Sequence, residues 1–331
     1  MHKVITLIGL ITLALITKAQ TTTWPDAGKF TVDTLVSKTT CQPLVIAVGG
    51  NYELSNMLSD KITGDYGLYG YLRYRPIKFI SASAFITQGL LSHPNAGGAS
   101  GSQEGRVNFY FKHDVHYAAG KKKFGKENGY EYSAPYHYPQ ANFIGITASI
   151  SNNKFFHSAV SDTTGKYGSL IRKSDGKILS DSIGLLQLNT QVVGFGFAFS
   201  TCNKFKARVK MTMPSGRHKK RIVRKSMSFD GAFEVLTALN IKQNQNIIMI
   251  NGNQNSTTVN NYDFTNPAIK HFGWRFWACG KINSIMSITM QMGAKPGIKE
   301  NLTKSESSEF VKTVFQNFYI NVGYGFAIGA L

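Results

Sequence analysis

Lys206, Arg208 and Lys210 alternate with Phe205, Ala207, Val209 and Met211. On an extended chain successive side chains point to opposite faces, so the three cations share one face and the four apolar residues the other. With the apolar face turned outward, the cations point inward. Arg73, Arg75, Arg106, Lys112 and Arg275 hold comparable positions in other segments. An interior lined in this way attracts anions, as rings of Arg or Lys do in anion-selective pores. The alternative is that these charges pair with Asp114, Asp230 and Glu234 and fill a narrow interior.

A second basic constellation is Arg217-His218-Lys219-Lys220-Arg221, followed by Arg224 and Lys225. It falls in Pro214–Ser226, which reads as an outer loop. Arg217, Lys219, Lys220, Arg221, Arg224 and Lys225 would there clamp lipopolysaccharide phosphates through charge-assisted hydrogen bonds; the alternative is a solvated loop. Lys121-Lys122-Lys123 with Lys126 is a similar run. His113 and His116 face opposite ways on a strand, and no CxxC occurs, so no metal site is expected. Tyr130, Tyr132, Tyr136, His137 and Tyr138 suit either stacking on sugar rings or an interfacial aromatic girdle.

Hydrolytic chemistry finds little support. There is no GxSxG, and Ser100 and Ser102 sit in the Gly-rich stretch Asn95–Gly105, which reads as a flexible loop. Ser81 or Ser83 with His116 can be imagined as a Ser–His pair, yet both lie on crowded polar faces. No catalytic residue and no cofactor is expected.

The elements that must position these groups are strands, and the clearest is Val193–Ser200. Val193, Phe195, Phe197 and Phe199 alternate with Gly194, Gly196, Ala198 and Ser200. One face is large and aromatic, the other nearly bare, as in a wall that meets lipid outside and encloses a crowded interior. The alternation recurs in Leu44–Asn51, Tyr66–Arg75, Ile80–Thr87, Arg106–His116, Ile144–Ser151, Phe205–Met211, Phe229–Ile241, Phe272–Cys279, Met286–Met292 and Phe318–Gly329, with Ile247–Ile250 a shorter case. Pro76–Ile77, Thr201–Lys204 and Gly280–Asn283 read as tight turns. Between them lie Glu53–Asp65, Leu91–Gly105, Asn152–Leu186, Pro214–Ser226, Gly252–Ile269 and Gly293–Val314, long polar stretches read as loops on one rim. The pattern counts to about 12 strands, with Ala118–Gln140 an overlong connection on the short-turn side. A water-soluble β-sandwich also alternates, but its outer faces should be strongly polar.

The ends and the composition set the compartment. Lys3, the apolar stretch Val4–Thr17 and the small residue Ala19 form a secretory signal peptide cut near Ala19. Gln20–Pro43 then reads as a periplasmic lead-in to a single domain, 44–331. The formal charge is +19, and loss of Lys3 and Lys18 with the leader lowers it to +17. The counter-charge expected for an exported chain is outer-membrane lipid and lipopolysaccharide, small anions or other envelope proteins, and not nucleic acid. Cys41, Cys202 and Cys279 do not form a framework, although one pair has the option of bonding.

Signal peptide, alternating strands, long-short connections and the strand near the C-terminus together resemble the outer-membrane β-barrel proteins of Gram-negative bacteria. The resemblance covers about Leu44–Leu331 as a pattern and implies an all-β, antiparallel transmembrane barrel with long outer loops and short periplasmic turns. The expected function is a narrow porin-like pore whose basic lumen favours small anionic solutes. The alternatives are a non-conducting structural or assembly barrel binding lipopolysaccharide or partner proteins through its outer loops, and a secreted soluble β-sandwich adhesin.

Overall fold

The computed structural model describes residues 30–38, 41–55, 63–93, 98–127, 130–160, 168–179, 183–251, 254–256, 261–282, 285–299 and 314–329. The segment expected to be a signal peptide lies outside these residues. Strands β1 (Phe30–Lys38), β2 (Leu44–Ser55), β3 (Thr63–Ile77), β4 (Ile80–His93), β5 (Gly98–Glu127), β6 (Tyr130–Val160), β7 (Ser169–Arg172), β8 (Ile183–Thr212), β9 (His218–Asn251), β10 (Gln254–Ser256), β11 (Tyr262–Thr265), β12 (Ile269–Lys270), β13 (Phe272–Lys281), β14 (Met286–Ala294), β15 (Gly297–Ile298) and β16 (Phe318–Gly329) make up nearly all of it. No helix among the described residues is long and apolar enough to cross a membrane, which leaves crossing by strands open.

Ten strands close on themselves in the order β8-β6-β5-β4-β3-β2-β16-β14-β13-β9, with β9 pairing back to β8. The first and last ring strands meet directly, from Val45 opposite Gly329 to Ser55 opposite Tyr319. The expected count of about 12 is corrected to ten, for two local reasons. Thr201–Lys204 is not a turn: β8 runs through it, joining Val193–Ser200 to Phe205–Met211. Ile247–Ile250 is likewise the far end of β9 and not a separate strand. The overlong Ala118–Gln140 is the joined ends of β5 and β6, and most of the expected loop Leu91–Gly105 is strand.

The chain divides into two compact units. The larger comprises Lys38–His116, Pro139–Lys204 and Lys225–Leu331 and holds the ring. Its outer face is apolar and exposed: Ile46, Leu68, Ile86, Phe109, Ile146, Phe195, Phe197, Val235, Val322 and Phe326 all lie open, while their alternates are buried. Its long connections fold on one another, β7 pairing with β11 and β12 with β15. Phe155, Leu170, Leu186, Leu188, Ile247, Phe264 and Ile298 form the core of that layer.

The smaller unit comprises residues 30–37 of the described N-terminal stretch, Tyr117–Tyr138 and Phe205–Arg224. It has its own core, in which Phe124, Tyr132, Ala134 and Tyr136 meet Phe205, Ala207, Val209, Met211, Met213 and Val223. Its β8–β9 turn is tight: Met213 N–H donates to the Arg217 carbonyl and Gly216 N–H to that of Met213, each at 2.9 Å. Gly216 takes φ +77°, a left-handed value that a side chain would strain.

Candidate functional site: the interior of the ring

The ring's inner face is built from the small or polar alternates of its apolar strands. On β8, Gly194, Gly196, Ala198 and Ser200 leave space beside the long inward side chains of β9, Asp230 and Glu234. A Cβ at Gly194 would meet Ser149 Oγ at 2.6 Å and Glu234 Oε1 at 3.4 Å. Into this space project Arg73, Arg75, Arg106 and Arg275, each almost completely buried.

Two clusters follow. In the first, Arg73 Nη1 donates to Asp230 Oδ2 at 2.8 Å and to Ser228 Oγ at 2.6 Å. Arg75 Nη2 donates to Asp230 Oδ1 at 3.2 Å and to Ser200 Oγ at 2.8 Å, and its guanidinium carbon lies 4.6 Å from the Tyr110 ring centre. The Tyr71 hydroxyl donates to Asp230 at 3.2 Å. In the second, Glu234 accepts from Arg106 Nη2 at 2.9 Å and from Arg275 Nε at 2.8 Å. Arg106 also pairs with Glu104 at 2.6 Å, Arg275 contacts Glu104, and Arg106 stacks 3.9 Å over the buried Trp277.

These contacts join strands that are not neighbours. Arg73 and Asp230, on β3 and β9, are five steps apart in a ring of ten, and Arg275 and Glu104, on β13 and β5, are four apart. Such pairs can meet only across the interior. Four buried guanidiniums share three buried carboxylates, so most of the expected positive lining is neutralised where it is densest.

Of the expected lining residues, Arg73, Arg75, Arg106 and Arg275 are therefore inside the ring, paired. Lys206, Arg208 and Lys210 are not. They belong to the smaller unit, where Phe205, Ala207, Val209 and Met211 are the covered face and the cations are on the open one. The expectation had turned the apolar face outward, and the physical correction is that a second core covers it. Lys210 Nζ donates to Asp33 Oδ2 at 2.9 Å, a hydrogen bond that holds the Asp33 carboxyl below its ordinary range. Lys112 is exposed, and Asp114, expected as a partner, is exposed too.

The segment expected as a loop, Pro214–Ser226, is corrected in one respect: most of it is strand. Lys219, Lys220, Arg221, Arg224 and Lys225 lie at the start of β9, and Arg217 lies in the tight turn before it. Lys219 Nζ donates to the Phe124 carbonyl at 3.2 Å, and the other five are exposed. Counted along the ring strands, connections alternate between two sets. The tight β3–β4 and β13–β14 turns form one set and the long connections of the larger unit the other.

Tyr132 and Tyr136 are buried in the smaller core, Tyr136 stacking on Phe205 with ring centres 5.8 Å apart. His116 Nδ1 lies 3.2 Å from Asn142 Nδ2, and His113 sits 4.7 Å from the Phe143 ring. Ser81 Oγ is 3.3 Å from the Tyr110 hydroxyl, and Ser100 donates to Asp65. Among the described residues no group of His, Cys, Asp and Glu is placed to hold a metal.

Sequence reasoning missed Glu104, whose segment read as a loop, and the Cys41–Cys202 disulfide, with Cα atoms 5.2 Å apart. Arg73 Nη2 donates to the Gln42 carbonyl at 2.7 Å and Arg75 Nη1 reaches Cys41 Sγ at 2.7 Å, so the same arginines hold the segment that the disulfide fastens. Cys279 is a buried free thiol. The wide Cys spacing carried no signal for the pair.

No family model matches the chain, and no curated protein matches it. Among solved structures, the complex of Salmonella typhi OmpF with daunomycin aligns with 92% of this chain and 99% of its own, at 8% identity and a TM-score of 0.20. With so low a score, the ring of ten strands stands on its own pairing.

Proposed function

We propose that the ring is an outer-membrane β-barrel whose interior is closed by its own side chains, so that it acts as a membrane-seated scaffold and not as an open pore. The observation that carries this reading is the inverted polarity of the larger unit. Its charged residues, Arg73, Arg106, Glu234 and Arg275, are inside, and its large apolar residues, Phe109, Phe195, Phe197 and Phe326, are exposed outside. A water-soluble sheet protein gains nothing from exposing such a band, whereas lipid contact accounts for it. The ion pairs across the interior favour the scaffold over the anion pore, because a solute would have to displace Asp230 or Glu234 from two arginines each.

In this orientation the long connections face outward and the tight turns face the periplasm.

The test is in two steps. Purified chain should need detergent for extraction from outer-membrane fractions and migrate faster unboiled than boiled. In planar bilayers the folded protein should then give no unitary conductance. Steady anion-selective channels would restore the pore, and a detergent-independent chain without a mobility shift would sink the membrane reading.

A further inference from the structure

Beyond the closed interior lies an open space within the same unit. A cavity of about 500 Å³ is lined by residues of β4, β5, β6, β8 and β9. Thr87 on β4 and Lys242 on β9 are four steps apart in the ring, so a space that both of them line lies inside it. On β9 the inward series Asp230, Ala232, Glu234 and Leu236 is buried, but Asn240 and Lys242, in the same phase, are exposed. On β5, Ser102 lines the space and Glu104, the next residue on its face, is the buried partner of Arg106 and Arg275. The cavity is thus a cup whose floor begins at the ion pairs.

Its chemistry is unusual for a ligand pocket, which is ordinarily mostly apolar. Thr87, Asn153, Lys154, Thr190, Asn240 and Lys242 all line it, further amides and serines surround them, and no aromatic side chain contributes. Thr190 is buried, and its Oγ1 has no hydrogen-bond partner. A buried hydroxyl without a partner costs stability, and a ligand able to supply one recovers it. The amides offer paired donors and acceptors, which match vicinal hydroxyls, and the Lys154 and Lys242 ammoniums supply two positive charges.

We propose that this cup binds a small carboxylated sugar, a monosaccharide or disaccharide acid. The amides and Thr190 take the hydroxyls, and Lys154 and Lys242 take the carboxylate. The volume lies within the range of small-molecule sites and is too small for a long polymer. The proposal requires the ring but not the membrane, so it stands apart from the scaffold reading.

The experiment is titration calorimetry on the folded full chain in detergent micelles, with D-galacturonic acid, D-galactose and acetate as probes. Unboiled gel mobility and the intact Cys41–Cys202 link establish folding for each variant. Galacturonic acid should bind saturably at one site, with galactose about tenfold weaker and acetate unable to compete. Lys154→Gln combined with Lys242→Gln should bring galacturonic acid down to the level of galactose. Thr190→Val, which keeps the shape and removes the hydroxyl, should weaken both sugars about fivefold. No saturable sugar binding by folded protein overturns the proposal. So does acetate competing as well as the sugar acid, which makes the cup a plain anion site. Unchanged binding in both variants places the sugar elsewhere and also overturns it.

Discussion

Arg73 on β3 meets Asp230 on β9 at 2.8 Å across the full width of a ten-strand ring, and Arg75, two residues on, reaches the other oxygen of the same carboxylate. One buried acid thus fixes two cations whose side chains are 1% and 3% exposed. Replacing Asp230 with Ala leaves both guanidiniums buried without their counter-charge. The expected cost is about 3–5 kcal/mol of folding free energy, since an orphaned buried charge loses that much. It is read as a lower unfolding midpoint in urea, followed by gel mobility. An unchanged midpoint would mean that water reaches the pair.

Phe197 separates the lipid-facing reading from a soluble one. It is 68% exposed and lies at the middle of the aromatic face of β8. Phe197→Lys should cost about 2–4 kcal/mol if that position lies at mid-membrane, and the variant should insert poorly into lipid vesicles. In a water-soluble protein the same change at an exposed site would stay within about 0.5 kcal/mol.

The Cys41–Cys202 bond closes a loop with a sequence separation of 161. Cys41→Ser should destabilise the folded state by about 2–4 kcal/mol through the freer unfolded chain. It should also make the segment around Gln42 a site of early proteolysis, detectable by mass spectrometry. Equal protease resistance would show that the Arg73 and Arg75 contacts suffice to hold it.

Two glycines, Gly196 on the inner face and Gly70 on the outer face beside Leu68 and Leu72, make a paired test of packing. A Cβ at Gly196 would run into the Phe233 carbonyl oxygen, while one at Gly70 meets nothing within 4 Å. Gly196→Ala should cost about 1–3 kcal/mol from overpacking, and Gly70→Ala should lie within about 0.5 kcal/mol of wild type. Thermal midpoints of the two variants measured side by side decide it.

In the smaller unit, Asp33 is held below its ordinary range by its hydrogen bond from Lys210. A carboxyl lowered on folding contributes stability above its unfolded value, and this is lost as pH falls through the folded one. Lys210→Gln should therefore shift the Asp33 titration upward in NMR and leave stability at neutral pH nearly unchanged, because the pair is exposed.

The limits of the sequence pattern are clearest in β8. Its odd-numbered apolar series runs in one phase from Val193 to Met213, through the stretch that reads as a turn. Phe195 and Phe197 are exposed, whereas Phe205, Ala207, Val209, Met211 and Met213 are buried. Period-2 alternation shows that two faces differ, but it does not say what covers either one. The ring strands were legible because their glycine-rich inner faces are abnormal for a half-wet sheet. The placement of Lys206, Arg208 and Lys210 was not, because it depends on β5, β6 and β9 contributing partners to a second core. The pairing of Arg106 and Arg275 with Glu234 is equally non-local, since it depends on which strands meet across a closed ring.

The direct pairing of β2 with β16 has a consequence for biogenesis. Val45 must find Gly329, and Tyr52 must find Val322. Until both strands are present, each is an unpaired edge open to other chains. Closure cannot be completed before the last strand is made, and such distant pairing makes it slow relative to the local hairpins. A chain halted before β16 is therefore a species with two sticky borders, each a template for pairing with other chains until the last strand arrives.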